Sequence, residues 1–341
     1  MTRARDLADL GGAADAGTVA GANLIINGDF AVWQRGTSFA DPSNGTYLCD
    51  RVFAFNSNDG AITFSQSTDV PSGKGFKYSL KGDVTTADTS IAAGQYVTID
   101  QKIEGQNVIS LDWGTSQAKY ITISFWIKSN LTGTYCYSVR NNDVNRSFIK
   151  EFTIDTADTW EHKKITIQGD TGGTWLTTNG TGHIHQISFA MGSTFQGTAD
   201  SWQTTNVVAT SNQENILSST DNEFYLTGWK VETGSTATPF QHESYGDNLA
   251  KCQRYYIKMN AQNAITYWNT GANIPSGGSI QFPTTMRATP TANVLANVQA
   301  GNTSSGAFEN MHTGGGQYRA NFSISTGTAR RTDSCEFVAE L

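Results

Sequence analysis

Between Tyr120 and Lys128 the chain alternates strictly. Ile121, Ile123, Phe125 and Ile127 fall on one side, and Tyr120, Thr122, Ser124 and Lys128 on the other. A period of two places every apolar residue of the run on one face of a pleated strand, whereas a helix would scatter them around its axis. The pattern recurs at Val97, Ile99 and Ile103, and at Phe76, Tyr78 and Leu80 against Lys77, Ser79 and Lys81. Further strands are expected at Tyr135 to Arg140, Lys163 to Gln168, Gln186 to Met191 and Phe224 to Glu232, with turn clusters such as SNDG, DVPSGKG, NNDVN and GDTGG between strands. No amphipathic helix intervenes, so the strands cannot be joined as a parallel crossover sheet. Roughly eight to ten strands, each with one buried face, describe two antiparallel sheets packed together. The expected fold class is all-β, a jelly-roll sandwich.

At 341 residues the chain is long enough for about two domains. A boundary is expected after Pro239, where Ser244 is a helix N-cap candidate and Tyr245, Leu249, Cys252 and Tyr256 share one helical face. Beyond it the strand pattern returns at Ala264 to Trp268, Ser279 to Phe282, Asn293 to Val298, Ala307 to Met311, Tyr318 to Ile324 and Cys335 to Val338. The resulting division is an N-terminal segment over 1–22, a jelly-roll domain over 23–245 and a smaller C-terminal β-sandwich over 246–341. Within the first of these, Ala4, Leu7 and Ala8 recur at helical spacing until Gly11-Gly12 stop them, which reads as a short helical anchor.

Composition removes several function classes. Charged residues make up 16% and the formal charge is −7, against the many cations that a grip on nucleic acid requires. No apolar run approaches the length of a membrane span, and MTRARDLADLGG is charged where a secretory signal needs its apolar core. The chain is therefore expected to begin at Met1, in a cytoplasm, without membrane insertion. Cys49, Cys136, Cys252 and Cys335 lie far apart with no CxxC pair, and are expected to be reduced, buried thiols.

No catalytic signature stands out: HExxH, GxSxG, Walker loop and zinc CxxC are all missing, and the chain reads as a non-enzyme without a cofactor. Asn141, Asp143 and Asn145 imitate the start of a calcium loop, but Arg146 replaces its turn glycine and Phe152 its closing glutamate, so a polar hairpin turn is expected. His183 and His185, two apart on a strand, would point to the same side as a weak metal candidate, the alternative being a solvated strand entrance. Trp126, Trp160 and Trp229 sit in or beside strands and read as core. Trp175 and Trp202 lie among Thr, Ser, Gly and Asn, where a loop can offer an indole to the apolar face of a sugar, or where the ring can fill a seam between subunits.

The segment NLIINGDFAVWQRGTS (Asn23 to Ser38), the element Asp50-Arg51-Val52-Phe53, LTGWKVETGSTATPF (Leu226 to Phe240), GDNLAKCQRYY (Gly246 to Tyr256) and FPTTMRATPT (Phe282 to Thr291) together resemble a family of bacteriophage tail fibre and virion appendage proteins. The resemblance implies a domain similar to carbohydrate-binding jelly rolls, a homotrimer, a virion location and adhesion to host cell-surface polysaccharide. It also implies attachment to phage tail or other virion proteins through the opening TRARDLADLGG, with Arg3, Arg5, Leu7 and Leu10 as the contact residues. Trp33, Arg35, Arg51, Glu232 and Arg254 match family positions and are assigned to packing and buried ion pairs. The other readings are a head-decoration or tail connector subunit with no ligand, and a glycan depolymerase.

Overall fold

The computed structural model describes residues 21–259, 265–269, 275–301, 303–322 and 327–341. Residues 1–20, which hold the expected helical anchor and its Arg3, Arg5, Leu7 and Leu10, lie outside the described residues. Two units are present, one ending at Ser244 and taking in Leu341, the other spanning Tyr245–Glu340.

The first unit contains thirteen described strands: β1 (Ser38–Ala40), β2 (Thr46–Tyr47), β3 (Phe53–Ser57), β4 (Ala61–Ser67), β5 (Ser79–Thr86), β6 (Tyr96–Glu104), β7 (Ile121–Ser129), β8 (Gly133–Arg140), β9 (Ser147–Ile154), β10 (Glu161–Ile167), β11 (Thr181–Met191), β12 (Trp202–Gln203) and β13 (Glu223–Thr233). They form a six-stranded sheet in the order β1-β4-β5-β13-β7-β10 and a seven-stranded sheet in the order β12-β9-β8-β11-β6-β3-β2. All pairings between these strands are antiparallel, and the two sheets make a jelly-roll-like sandwich.

Alternation decides what lies between the sheets. Ile121, Ile123, Phe125 and Ile127 are each fully buried, as the sequence requires, and meet Val97, Ile99, Tyr137 and Phe189 in one core. Burial of each such side chain is worth about 1.5–3 kcal/mol, which fixes the register: a slip of one residue would turn the whole row into water. Phe189 of β11 and Phe224 of β13 stack with ring planes 11° apart, one from each sheet.

Three of the segments that suggested a family act here as pins. Asn23 accepts from the amides of Ile25 and Val231 and donates to the Trp229 carbonyl, tying the entry segment to β13. Asn27 donates to the carbonyls of Val32 and Asp50 while accepting from the Val32 amide. Gly28 leaves no room for a side chain, since a Cβ there would sit 2.0 Å from the Trp229 carbonyl oxygen. Arg51 is buried and donates to the Lys102 carbonyl, and Glu232 forms a buried ion pair with Lys230 at 3.1 Å, as expected of packing residues.

In the second unit the one α-helix among the described residues, α1 (Tyr245–Gln253), starts immediately after Ser244. Its buried residues are Asn248 and Cys252, one turn apart, while Tyr245 is 60% exposed. The expected apolar face through Tyr245 is thus rotated, because the helix is too short and polar for its own pattern to set its orientation. The strands are β14 (Tyr256–Met259), β15 (Ile265–Asn269), β16 (Pro275–Gln281), β17 (Thr291–Gly301), β18 (Thr303–His312), β19 (Gly315–Phe322) and β20 (Gly327–Val338). Strand β20 pairs with β14, β15 and β17, and a second sheet runs β16-β19-β18. Phe308 of β18 meets Phe337 of β20 at 5.2 Å between ring centroids, closing a small sandwich around Ile257, Met286 and Cys335. All four cysteines are buried and none is in a disulfide, as expected.

Candidate functional site

The residues singled out as ligand candidates are brought together by the fold, but inside it. His183 and His185 project from β11 into the sandwich and are 1% and 0% exposed. Trp113 stacks on His183 at 4.3 Å and meets the edges of Trp175 at 4.8 Å and Trp202 at 5.2 Å. Trp175 is 8% exposed and donates from Nε1 to Asp170 and the Gly172 carbonyl, so its ring is a packing element and not a solvent-facing platform. Trp202 is half-buried and donates to the Gln168 carbonyl. The surrounding Thr, Gly and Asn residues suggested exposure because local composition carries no information about the bidentate Arg146–Asp170 pair, at 2.6 and 2.7 Å, that folds the 170–175 loop back onto the sheet.

The histidine pair is sealed. His185 Nδ1 lies 2.9 Å from the Tyr137 hydroxyl, which in turn accepts from Trp229 Nε1 at 3.2 Å. Burial lowers both imidazoles, His183 well below its ordinary value and His185 to about 3, so both are neutral. Neither reading made from sequence, a metal candidate or a solvated strand entrance, describes this position. Among the described residues no group of three or more His, Cys, Asp or Glu could hold a metal ion. The Asn141 segment is a hairpin turn: Asn141 Oδ1 accepts from the amides of Asn145 and Arg146, and its Nδ2 donates to Asn145 Oδ1.

The arrangement best suited to a ligand lies on the opposite face of the same strands. The alternation that turns Tyr135, Tyr137 and Val139 inward turns Ser138 and Arg140 outward, and on β11 it turns Gln186 outward. Register then aligns Asp100 of β6, Gln186 of β11 and Ser138 of β8 in one row across the sheet. Phe55 of β3 and Tyr96 of β6 stand at one end. The stretch after β11 folds over the other, held by the Val208 amide donating to the Phe195 carbonyl at 2.8 Å. The result is a cavity of about 200 Å³ lined by Phe55, Tyr96, Arg140, Gln186, Met191, Phe195, Asn206 and Val208. It is smaller than the roughly 300–1,000 Å³ of pockets for drug-sized ligands and suits a single ring.

The wall is aromatic: Tyr96 meets Phe195 at 5.3 Å and Phe55 at 6.2 Å, both edge to face. The base is charged and incompletely bonded. Arg140 donates from NH1 to Asn206 Oδ1 at 2.7 Å and approaches Asp100 Oδ2 only to 3.7 Å. Its Nε, and Asp100 Oδ2, are buried without a hydrogen-bond partner. Asp100 Oδ1 accepts from Thr98 at 2.6 Å. Burial raises the Asp100 carboxyl to about 7, against the opposing pull of Arg140, Thr98 and Lys102, and burial lowers Arg140. Unsatisfied buried donors and acceptors are costly, about 1–3 kcal/mol each, and a ligand that completes them recovers that cost on binding.

Sequence reasoning passed over this set. The available signal was aromatic residues on the solvent phase of strands, Phe53 and Phe55 flanking the inward Ala54, and Tyr96 preceding the inward Val97. Trp126 and Trp160, expected in the core, are half-buried on the outer face of the other sheet, while Trp229 is fully buried as expected.

No helix among the described residues is long and apolar enough to cross a membrane. No protein-family model matches the chain, and no curated protein matches it. Among solved structures it is similar to the enzymatically active domain of tailspike protein 4 of bacteriophage CBA120, at 13% identity and a TM-score of 0.31 over 62% of this chain; the match spans only 21% of the tailspike. It is also similar to the family 11 carbohydrate-binding module of Clostridium thermocellum in complex with a β-1,3-1,4-mixed-linked tetrasaccharide, at 11% identity and a TM-score of 0.29, covering 59% of this chain and 96% of the module. A third similar structure, described as a CBM4, has 15% identity and a TM-score of 0.30, covering 61% of this chain and 97% of its own. At such identities and scores the likeness assigns no ligand here.

Proposed function

We propose that the chain is a non-enzymatic glycan-binding subunit of a phage virion appendage, a tail fibre component that holds host cell-surface polysaccharide in the pocket over β6, β8 and β11. The observation that carries the glycan reading is Arg140, its Nε buried without a hydrogen-bond partner, on a cavity with aromatic walls. A sugar ring stacks its CH face on an aromatic side chain, and a hydroxyl is both donor and acceptor, so hydroxyls at the base can accept from Arg140. Gln186 and Asn206 add amide groups for orientation. No hydrolytic role is assigned, because the residues lining the pocket include no carboxylate, whereas glycoside hydrolysis calls for a pair of them. This pocket takes the place of Trp175 in the ligand proposal, and Trp202 remains a half-exposed neighbour of Arg146 outside it.

The appendage role rests on the tail-fibre-like segments of the sequence, with residues 1–22 as the attachment arm and a homotrimer as the assembly. One weak pocket per subunit then gains from linkage, since several tethered copies raise avidity by about 10²–10⁴. The test is a neutral-glycan array followed by titration of the hit. Arg140→Gln should weaken binding at least about tenfold, the scale of a charged hydrogen bond. Absence of any neutral glycan hit, or a hit indifferent to Arg140→Gln, would leave the scaffold reading in its place. Incorporation into particles of a variant lacking residues 1–22 would remove the attachment role.

A further inference from the structure

The outer face of the six-stranded sheet carries a second cluster of different character. Trp126 of β7 and His162 of β10 face each other in register, and their rings stack at 4.8 Å with planes 18° apart. Lys74, from the turn before β5, places Nζ 5.4 Å from the centre of the Trp126 ring. Lys164 lies two residues along β10 from His162 and so emerges on the same side. Beside them, Lys128 Nζ sits 4.2 Å from the centre of Tyr225 and 6.0 Å from that of Trp160.

The lysines of this face are not equally compensated. Lys128 is paired with Asp69, which also accepts from Trp160 Nε1, and Lys81 is shared between Asp83 and Glu223. Lys74 and Lys164 have no carboxylate within ion-pair distance among the described residues. Both bear on His162, whose pKa is lowered first by partial desolvation against the Trp126 ring and then by the charges of Lys164 and Lys74, so their positive potential converges on the stacked rings. Lys74, His162 and Lys164 are exposed and Trp126 is half-buried. On a chain of net charge −7, two uncompensated ammonium groups around an aromatic step are a local reversal of sign.

We infer that this face is a second glycan site, for an anionic sugar of the uronic acid class. The ring of the sugar lies against the Trp126–His162 step, and its carboxylate is held between Lys74 and Lys164. A single carboxylate matches two cations, whereas a nucleic acid would call for a longer basic track.

The test is calorimetric titration of the full chain with oligogalacturonate and with its neutral methyl ester, at low and high salt. Binding of the acid at low salt, weaker binding of the ester, and loss of affinity with added salt are expected. Lys74→Gln and Lys164→Gln, both at exposed positions where folding is unaffected, should each weaken the acid by roughly two- to fivefold. Four results would each overturn the proposal: no binding of the acid at low salt, equal affinity for acid and ester, indifference to both lysine substitutions, or loss of acid binding in Asn206→Ala, which would move the ligand to the pocket. Tighter, lysine-dependent binding of a single-stranded oligonucleotide would overturn it in favour of nucleic acid.

Discussion

The two faces of β6, β8 and β11 are built from adjacent residues of the same strands, and both leave buried polar atoms without a partner, but only the outer face does so beside a cavity. On the inner face His183, stacked on Trp113, and His185, bonded to Tyr137, stay neutral, with His183 Nδ1 and His185 Nε2 sealed in without a hydrogen-bond partner. On the outer face Asp100, its carboxyl raised to about 7, and Arg140 leave a carboxyl oxygen and a guanidinium nitrogen unbonded, and Arg140 borders a cavity. The inner arrangement serves packing, since every ring touches another. The outer one forgoes stability at a place where a ligand can restore it.

That contrast can be broken most forcefully at Trp229, which is fully buried and bridges to Tyr137 across the sandwich. Trp229→Ala should cost about 3–5 kcal/mol in urea unfolding, whereas Phe195→Ala, at the half-buried pocket wall, should weaken glycan binding with a far smaller change in stability. A loss of stability from Phe195→Ala equal to that from Trp229→Ala would erase the distinction between the faces.

Acid sharpens it further, because the two faces have linkage of opposite sign. The histidines have folded pKa values below their ordinary 6.5, so the unfolded chain takes up protons first; their contribution is intact above pH 6.5 and is lost as pH falls, for His185 toward about 3. Asp100 has a folded pKa raised from 3.8 to about 7, so its contribution is intact below pH 3.8 and is lost as pH rises through 7. Each group supplies up to about 1.4 kcal/mol per pH unit in its window. Stability measured from pH 4 to 6.5 should therefore fall less steeply with acid in His185→Gln than in the native chain, and more steeply in Asp100→Asn. If Asp100→Asn leaves the slope unchanged, the carboxylate is not held as described. The smallest effect is expected at the β8–β9 turn, where Asn141→Ala removes acceptor bonds to two amides and should lower stability by about 1–2 kcal/mol in thermal unfolding, with no change in binding.

Much of the sandwich was legible because period two is a local property. Ile121 to Ile127, Val97 to Ile103 and the 133–140 and 223–233 strands lie where alternation places them. Short strands such as β1, β2 and β12 were not legible, since two or three residues cannot establish a period. The candidate site was hardly legible at all. Phe55, Tyr96, Arg140, Gln186, Phe195 and Asn206 span some 150 residues of chain and meet only through strand register. Trp175 was misjudged for the same reason, as its exposure is set by distant groups such as Trp113 and the Arg146–Asp170 pair.

By itself, then, the order of residues determined an all-β chain with a large and a small strand-rich region, few charges, thiols for the interior and one face of each strand turned inward, because hydrophobic alternation and turn chemistry act between near neighbours. Which outward residues would share a row, which tryptophans would be enclosed, and where a carboxylate and a guanidinium would stand unbonded were decided by the tertiary structure. Those outcomes depend on pairings between strands far apart in the chain, and such pairings are energetically settled only when the two sheets close on a common core.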